Sequence, residues 1–383
     1  MVLSFMFTSC QKDVRTLDSN VPSSGPSLPE TPFNYSDPDL PNHFYTNGFI
    51  GTFQTSLDLI SNTPENNPVT DEGATLGRVL FYDKNLSKNK TVSCASCHQQ
   101  EHGFSDTNVL SIGFEGGQTG RHSMSLANAA YFGPGRFFWD ERANTLEEQV
   151  LMPIQDEVEM GLSLDTLIRR VNDLPYYADL LEASFGAPIA DSEAIAKALA
   201  QFVRSLVSYR SKYDLGRLQV QSQCDPFPNF SDLENLGKNL FLGPLQEGGK
   251  GCIDCHSTEG FVSISVGPVS NGLDVVQEAE DLGYFGVTNN PNHLNTFKSP
   301  SLKNIAVTPP YMHDGRFSTL EEVIEHYNSG VQDHPNLNFS LLDPNGNPVR
   351  MNMSEEDKLA LKLFMETLTD EPMLSDEKFS DPF

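Results

Sequence analysis

Hydrophobic and polar positions form the same pattern in two distant parts of this chain. Residues Leu76–Phe81 and Leu236–Phe241 both follow the order Leu-Gly-basic-x-Leu-Phe. Apolar residues recur in both at the spacing of one helical face, so each segment is predicted to be a helix with a buried side. Each of these predicted helices leads into a segment that contains a cysteine pair.

A second pair of matched segments lies further along the chain. Residues Asp140–Glu148 and Asp314–Glu322 share Asp-x-Arg followed by Thr-Leu-Glu-Glu. The Thr-x-x-Glu ending is a capping box, which marks the start of a helix. Two copies of one structural unit account for all four segments at once. The alternative is chance similarity between short helical segments.

The N-terminal part of the chain is predicted to lie outside the folded units. Residues 1–10 are largely apolar and end at Cys10, which resembles the end of a lipoprotein-type signal peptide whose cysteine carries a lipid anchor. Residues 11–42 are rich in Ser, Pro, Asp and Asn and are expected to form a flexible tether. No run of about 18 apolar residues occurs elsewhere, so no membrane-spanning helix is expected.

Two Cys-x-x-Cys-His motifs carry the chemistry. They are Cys94–His98 and Cys252–His256, and each follows one of the matched helices. The two thiols of such a motif bond the vinyl groups of a porphyrin, and the histidine takes an axial position on the iron. The motifs therefore predict two covalently bound c-type haems, with four of the six cysteines used in this way. A zinc site or a redox-active cysteine pair is the alternative.

Composition narrows the choice of partners. The chain has 52 acidic against 25 basic residues, a net charge of −27. Such a surface repels phosphate, so nucleic acid is not expected as a partner. A basic redox protein or a cationic substrate would be attracted, although solubility is the simpler explanation of the charge.

The two copies differ at the position that decides how the iron reacts. Pro153 and Tyr327 lie thirteen residues after Asp140 and Asp314 respectively. A cytochrome c domain presents its second axial ligand from this side. A tyrosine oxygen can bind iron and a proline cannot, so the second haem is predicted to be closed and the first open to peroxide.

Several alternatives exist at the second haem. His326 could supply the axial ligand in place of Tyr327, and three methionines are further candidates: Met312, Met351 and Met353. Tyr327 could also be no more than a packed aromatic residue.

These features together resemble the bacterial dihaem cytochrome c peroxidase family, and within it the methylamine-utilisation (MauG-like) branch. The resemblance covers about residues 64–370. Its most specific stretches, beyond the haem motifs, are Phe137–Arg142, Glu148–Gln149 with Pro153–Ile154, Val158–Met160 and Pro310–Gly315.

The resemblance implies a role for each matched residue. His98 would be the proximal ligand of the peroxide-reactive haem, and His256 that of the electron-transfer haem. Trp139, the single tryptophan, would lie between the two haems and couple them. The distal pocket of the reactive haem would be formed by Gln149, Pro153 and Glu159. Of these, Glu159 would move a proton between the oxygens of peroxide.

Two departures from the conventional peroxidases favour the MauG-like branch. Those enzymes carry a blocking histidine after the first haem motif, where this chain has Phe114. They also use methionine where Tyr327 stands, and a phenolate should lower the potential of that haem. The MauG-like enzyme uses its two haems to oxidise residues of a partner protein.

The family also holds calcium between its domains. The carbonyls of Thr308 and Pro310 match two of its ligands, but the position of an asparagine ligand is occupied by His122. Imidazole is a poor calcium ligand, so the ligand set is left open.

The sequence thus predicts a mostly α-helical protein with two cytochrome c-like domains, 43–215 and 216–383, each binding one haem. The expected function is that of a periplasmic, lipid-anchored oxidoreductase that reacts with hydrogen peroxide at the first haem. Electrons would come from a small c-type cytochrome or another redox protein through the second haem. The alternatives are oxidation of a protein substrate, as in cofactor maturation, and a dihaem electron carrier without catalysis.

Overall fold

The computed structural model describes residues 25–45, 56–263, 267–274 and 281–383. The predicted signal remnant, Cys10 and residues 11–24 of the predicted tether lie outside these ranges. Within them, no helix is both long and apolar enough to cross a membrane.

Helices joined by short 3-10 turns and loops make up the described residues, and β-pairing there is limited to isolated bridges. The α-helices are α1 (Asp71–Tyr82), α2 (Leu146–Gln149), α3 (Met152–Gln155), α4 (Leu164–Asp173), α5 (Tyr176–Phe185), α6 (Ser192–Ser205), α7 (Lys212–Arg217), α8 (Asp232–Leu242), α9 (Phe285–Thr288), α10 (Leu320–Glu325) and α11 (Glu355–Glu366). A π-helical turn, His326–Gly330, continues α10.

The duplicated Leu-Gly segments form equivalent helix pairs. Helix α1 packs on α6 and helix α8 packs on α11. A Cβ atom on Gly77 would lie 2.0 Å from the carbonyl oxygen of Ala198, and one on Gly237 would lie 1.9 Å from that of Ala360. Only glycine allows such close backbone approach. The repeated glycine therefore sets the same helix crossing in both halves of the molecule.

The predicted capping boxes start helices, as expected. The Thr145 side chain accepts a hydrogen bond from the Glu148 N–H (3.1 Å), which caps α2. The Thr319 side chain does the same with the Glu322 N–H (3.2 Å), which caps α10. These caps satisfy backbone donors that the first helical turn leaves free. Helix α2 leads towards Pro153, and α10 leads directly to Tyr327.

Two hydrophobic clusters divide the structure. The first contains α1, α4, α5 and α6, and the second contains α8, α10 and α11. The proposed domain boundary between residues 215 and 216 falls inside α7, whose Tyr213 packs in the second cluster. The fold is mostly helical with two c-type haem domains.

Residues 25–42 differ from the predicted flexible tether. They lack regular helix, but Tyr35 is buried in the first cluster, and its N–H donates to the Asp71 carboxylate (2.8 Å). Its hydroxyl donates to the carbonyl of Lys378 (2.5 Å) in the C-terminal segment. Composition alone does not reveal these contacts, because their partners are far away in sequence.

Candidate functional site

The first Cys-x-x-Cys-His motif lines a cavity in the N-terminal half. Cys94–Ser96 form a 3-10 turn capped by Ser93, so that Cys94, Cys97 and His98 all face the cavity. Nδ1 of His98 lies 2.9 Å from the carbonyl oxygen of Phe104. A carbonyl can only accept, so Nδ1 carries the proton and Nε2 is the nitrogen available to iron. Burial lowers the pKa of His98, which favours the neutral ligand form.

The second motif repeats this arrangement in the C-terminal half. Cys252, Cys255 and His256 line a second cavity, and Nδ1 of His256 lies 3.0 Å from the carbonyl oxygen of Pro300. Burial lowers the pKa of His256 to about 4. The same tautomer is therefore held in both cavities, with Nε2 free for the metal.

Both cavities fit a covalently attached haem. Burial raises the pKa of Cys94 to about 12 and that of Cys97 to about 11, and the values for Cys252 and Cys255 match them. The sulfurs therefore lie in an environment that disfavours thiolate and suits the neutral thioether of a c-type haem. No group of three or more His, Cys, Asp or Glu side chains in the described ranges could hold a separate metal ion.

The three residues predicted for the distal pocket all line the first cavity. Gln149 ends α2, Pro153 lies in the first turn of α3, and Glu159 follows that helix. Backbone N–H groups in the first helical turn have no hydrogen-bond acceptor within the helix. Proline, which lacks an N–H, therefore loses no hydrogen bond at this position. Its ring offers no donor atom to a metal.

Glu159 has the electrostatic setting of a proton-transfer group. Burial and, to a smaller extent, the nearby Asp156 charge raise the pKa of its carboxyl to about 7, and the Arg142 charge opposes this shift. The carboxyl can thus change protonation state near neutral pH. Arg142 also lines the cavity, with its guanidinium carbon 3.6 Å from the centre of the Phe138 ring.

Trp139 lines both cavities. Its indole Nε1–H donates to the carbonyl oxygen of His122 (2.8 Å), and its own carbonyl accepts from the N–H of Lys298 (2.8 Å). These two hydrogen bonds fix the indole and its backbone between the cavities.

Tyr327 lines the second cavity from the π-helical turn that follows α10. Such turns are frequent at functional positions. Burial raises the pKa of its phenol to about 12, and a hydrogen bond with Asn271 opposes the shift.

The alternative ligands separate into two groups. Nε2 of His326 lies 3.1 Å from the carbonyl oxygen of Asn271, and this ring is not part of the cavity lining. The three methionine candidates line the same cavity as Tyr327: Met312, Met351 and Met353. The geometry therefore favours Tyr327 over His326 and keeps the methionines as alternatives.

Phe114 stands apart from the first cavity. Its ring is buried against Gly161, with the Lys88 Nζ 5.4 Å from its centre, and it is not a lining residue. Its backbone N–H donates to the carbonyl of Glu159 (3.0 Å).

The resemblance to the family places His122 where an oxygen ligand for calcium would lie. Its Nδ1 faces the carbonyl oxygens of Asn108 (3.1 Å) and Val109 (3.2 Å), and its Nε2 faces the hydroxyl of Ser105 (3.3 Å). His122 contributes no oxygen donor of its own at this position. These residues do not fit a calcium ion.

Two groups at the cavities are missing from the sequence prediction. Arg121 lines the first cavity and forms ion pairs with Asp140 (2.7 Å) and Asp281 (2.6 Å). Lys298 lines both cavities. Neither residue lies in a motif with characteristic spacing, and both reach the site only through tertiary folding.

Two haem-attachment cavities that share one tryptophan define a dihaem c-type cytochrome, and Pro153 and Tyr327 distinguish the cavities at equivalent positions of the repeat. The family described as di-haem cytochrome c peroxidase matches residues 71–220. A "Methylamine utilization protein MauG" from Methylorubrum extorquens is 34% identical over 313 residues, which cover 81% of each chain. A "Cytochrome c551 peroxidase" from Nitrosomonas europaea is 33% identical over 74% of this chain and 79% of its own.

A solved structure supports the same assignment. A MauG-like protein associated with microbial copper homeostasis superimposes with a TM-score of 0.72 at 31% identity, covering 90% of this chain and 98% of that one. The chain belongs to the dihaem cytochrome c peroxidase family, in its MauG-like branch. It is a dihaem oxidoreductase of the peroxidase type, and two c-type haems are its cofactors.

Proposed function

We propose that hydrogen peroxide reacts at the first haem, held by Cys94, Cys97 and His98, and that electrons arrive through the second. The observation that carries this proposal is the contrast between Pro153 and Tyr327. Both line their cavities at equivalent positions of the repeat, and only Tyr327 has an atom that can bind iron. One haem then has a free coordination position, and the other serves electron transfer.

The haem supplies the redox chemistry when it is bound, and the protein supplies proton transfer and positioning. The Glu159 carboxylate accepts a proton from peroxide and returns it to the departing oxygen. The Gln149 amide, which lines the same cavity, positions the substrate by hydrogen bonding. Pro153 leaves space beside them without competing for the metal.

Trp139 provides the connection between the two sites. Its indole borders both cavities and is held through Nε1 and through its backbone carbonyl. We propose that electrons from the His256 and Tyr327 side reach the first haem through this ring.

The electron donor proposed is a small c-type cytochrome or another basic redox protein. The net charge of −27 favours a cationic partner and speeds its encounter at low ionic strength. The second candidate function is oxidation of residues on a protein substrate. Tyr327, Phe114 and the 34% identity to a methylamine utilization protein favour it.

The proposal includes a periplasmic location and a lipid anchor. Covalent haem attachment is typical of periplasmic proteins, and a lipid anchor at Cys10 would tie the chain to a membrane. A calcium ion bound by the carbonyls of Thr308 and Pro310 would lack the oxygen donor that His122 replaces, so we assign it no part in the reaction. Elemental analysis of dialysed protein tests for it.

Closing the first haem tests the proposed function. Pro153→His places a nitrogen donor on the open side, and Pro153→Ala keeps that side free of donors. We expect Pro153→His to convert the first haem to low spin and abolish peroxide turnover with a reduced small c-type cytochrome. Pro153→Ala should retain the native spin state of the first haem and the native peroxide turnover. Full turnover in Pro153→His, or no reaction of the native protein with peroxide, would overturn the proposal.

A further inference from the structure

Lys298 occupies a position between the two haem cavities that no sequence motif indicates. It lines both cavities, and its backbone N–H donates to the carbonyl of Trp139. The residue is only 5% exposed. A buried lysine therefore lies beside the residue that connects the two sites.

The protein leaves the Lys298 ammonium incompletely paired. Nζ donates to the carbonyl of Arg136 and lies 3.7 Å from the centre of the Phe132 ring and 5.1 Å from that of Phe137. No carboxylate oxygen among the described residues lies within 4.0 Å of Nζ. An ammonium has three donor hydrogens, and only one has an acceptor in the described part of the protein.

Glu141 provides a countercharge to Lys298 without forming an ion pair with it. Its side chain is buried, and its backbone adopts a φ of +50°, where its counterpart in the repeat is Gly315 at +66°. Burial lowers the pKa of Lys298 to about 8, and the Glu141 charge opposes that shift. A buried cation with so little compensation needs an anion from elsewhere.

Haem itself carries suitable anions, since each porphyrin bears two propionate carboxylates. We propose that the Lys298 ammonium binds a haem propionate and acts as a positioning charge at the junction of the two haem sites. This inference rests on the haem content of the family, and it is independent of which haem reacts with peroxide.

The propionate could come from either haem, because Lys298 lines both cavities. A nearby positive charge stabilises the reduced haem, which carries one positive charge fewer than the oxidised haem. Loss of the lysine charge should therefore lower the midpoint potential of whichever haem it binds. Spectroelectrochemical titration separates the two haems and identifies the source.

The experiment compares four forms of the haem-loaded protein: the native chain, Lys298→Met, Lys298→Gln and Lys298→Arg. Lys238→Met is the matched control, since Lys238 is fully buried, donates to the carbonyls of Gln223 (2.7 Å) and Asp225 (3.0 Å), and lines neither cavity. We expect the ratio of reduced to oxidised haem at a fixed potential to fall about tenfold in Lys298→Met and Lys298→Gln. Lys298→Arg should keep most of the native ratio of reduced to oxidised haem. Lys238→Met should leave the midpoint potentials of both haems unchanged.

The midpoint potentials of the two haems decide the outcome, and peroxide activity does not enter into it. A lower midpoint potential of one haem or of both supports the proposal and identifies the haem that supplies the propionate. Unchanged potentials of both haems, in Lys298→Gln protein with two haems per chain, would overturn it. Such a failure would leave the assignment of the open and closed haems intact.

Discussion

The backbone N–H of Phe114 donates a hydrogen bond to the carbonyl of Glu159, at 3.0 Å. The loop that carries a blocking histidine in the conventional peroxidases is thus tied to the segment that carries the proposed proton-transfer group. The Phe114 ring points into packing against Gly161 and away from the cavity lining. The loop therefore supports the pocket, and Phe114 itself has no atom that can bind the metal.

The Phe114 ring should be important for stability. Phe114→Ala removes a ring that is 7% exposed, and such substitutions cost about 3–5 kcal/mol of unfolding free energy. Phe339→Ala is the control, because that ring is 77% exposed, and we expect a change within about 0.5 kcal/mol. Urea unfolding of the haem-loaded protein measures both. Equal losses in the two variants would show that the Phe114 packing is unimportant.

Glu159→Gln should slow the reaction with peroxide. The substitution keeps the size of the side chain and removes its ability to accept a proton. General acid–base catalysis typically accelerates a reaction roughly 10²–10⁴-fold, so we expect the rate constant to fall by a factor of that order. The pKa of about 7 also gives a pH dependence. The carboxylate is the active form, so the native rate constant should rise with pH and level off above about 7. Stopped-flow absorbance measures this profile, and the same inflection in Glu159→Gln would exclude Glu159 as its source.

Trp139→Phe should impair communication between the haems while leaving the proton chemistry of the first pocket intact. The substitution removes the Nε1–H bond to His122 and the more easily oxidised ring. After one addition of peroxide, the spectrum of the first haem should change at the native rate and that of the second should lag. Simultaneous changes at the native rate in both haems would show that the indole is not the route.

The resting oxidised protein should contain one low-spin and one high-spin haem. Tyr327 closes the second haem in this account, and Pro153 leaves the first open. Electron paramagnetic resonance should show both signals, and Tyr327→Phe should lose the low-spin signal. Retention of that signal in Tyr327→Phe would point to one of the methionines that line the same cavity: Met312, Met351 or Met353.

Local chemistry explains what the sequence could predict. A Cys-x-x-Cys-His motif and a capping box act through residues close in sequence, so their spacing is sufficient evidence. Because the two halves repeat one pattern, Pro153 and Tyr327 can be compared from their spacing alone.

The remaining features depend on contacts between distant parts of the chain. Tyr35 is ordered by Asp71 and Lys378, which composition cannot indicate. The π-helical turn decides that Tyr327 lines the cavity while His326 bonds to Asn271. The position of Lys298 between both cavities likewise arises only when the two halves pack together.

The central claim is that the first haem is open in the fully oxidised protein. Stopped-flow mixing of fully oxidised protein with hydrogen peroxide, without any reductant, tests it most directly. We expect an immediate change of the Soret band, because neither Pro153 nor Phe114 can bind the iron and block it. An oxidised protein that stays unreactive, and responds to peroxide only after one-electron reduction, would contradict it.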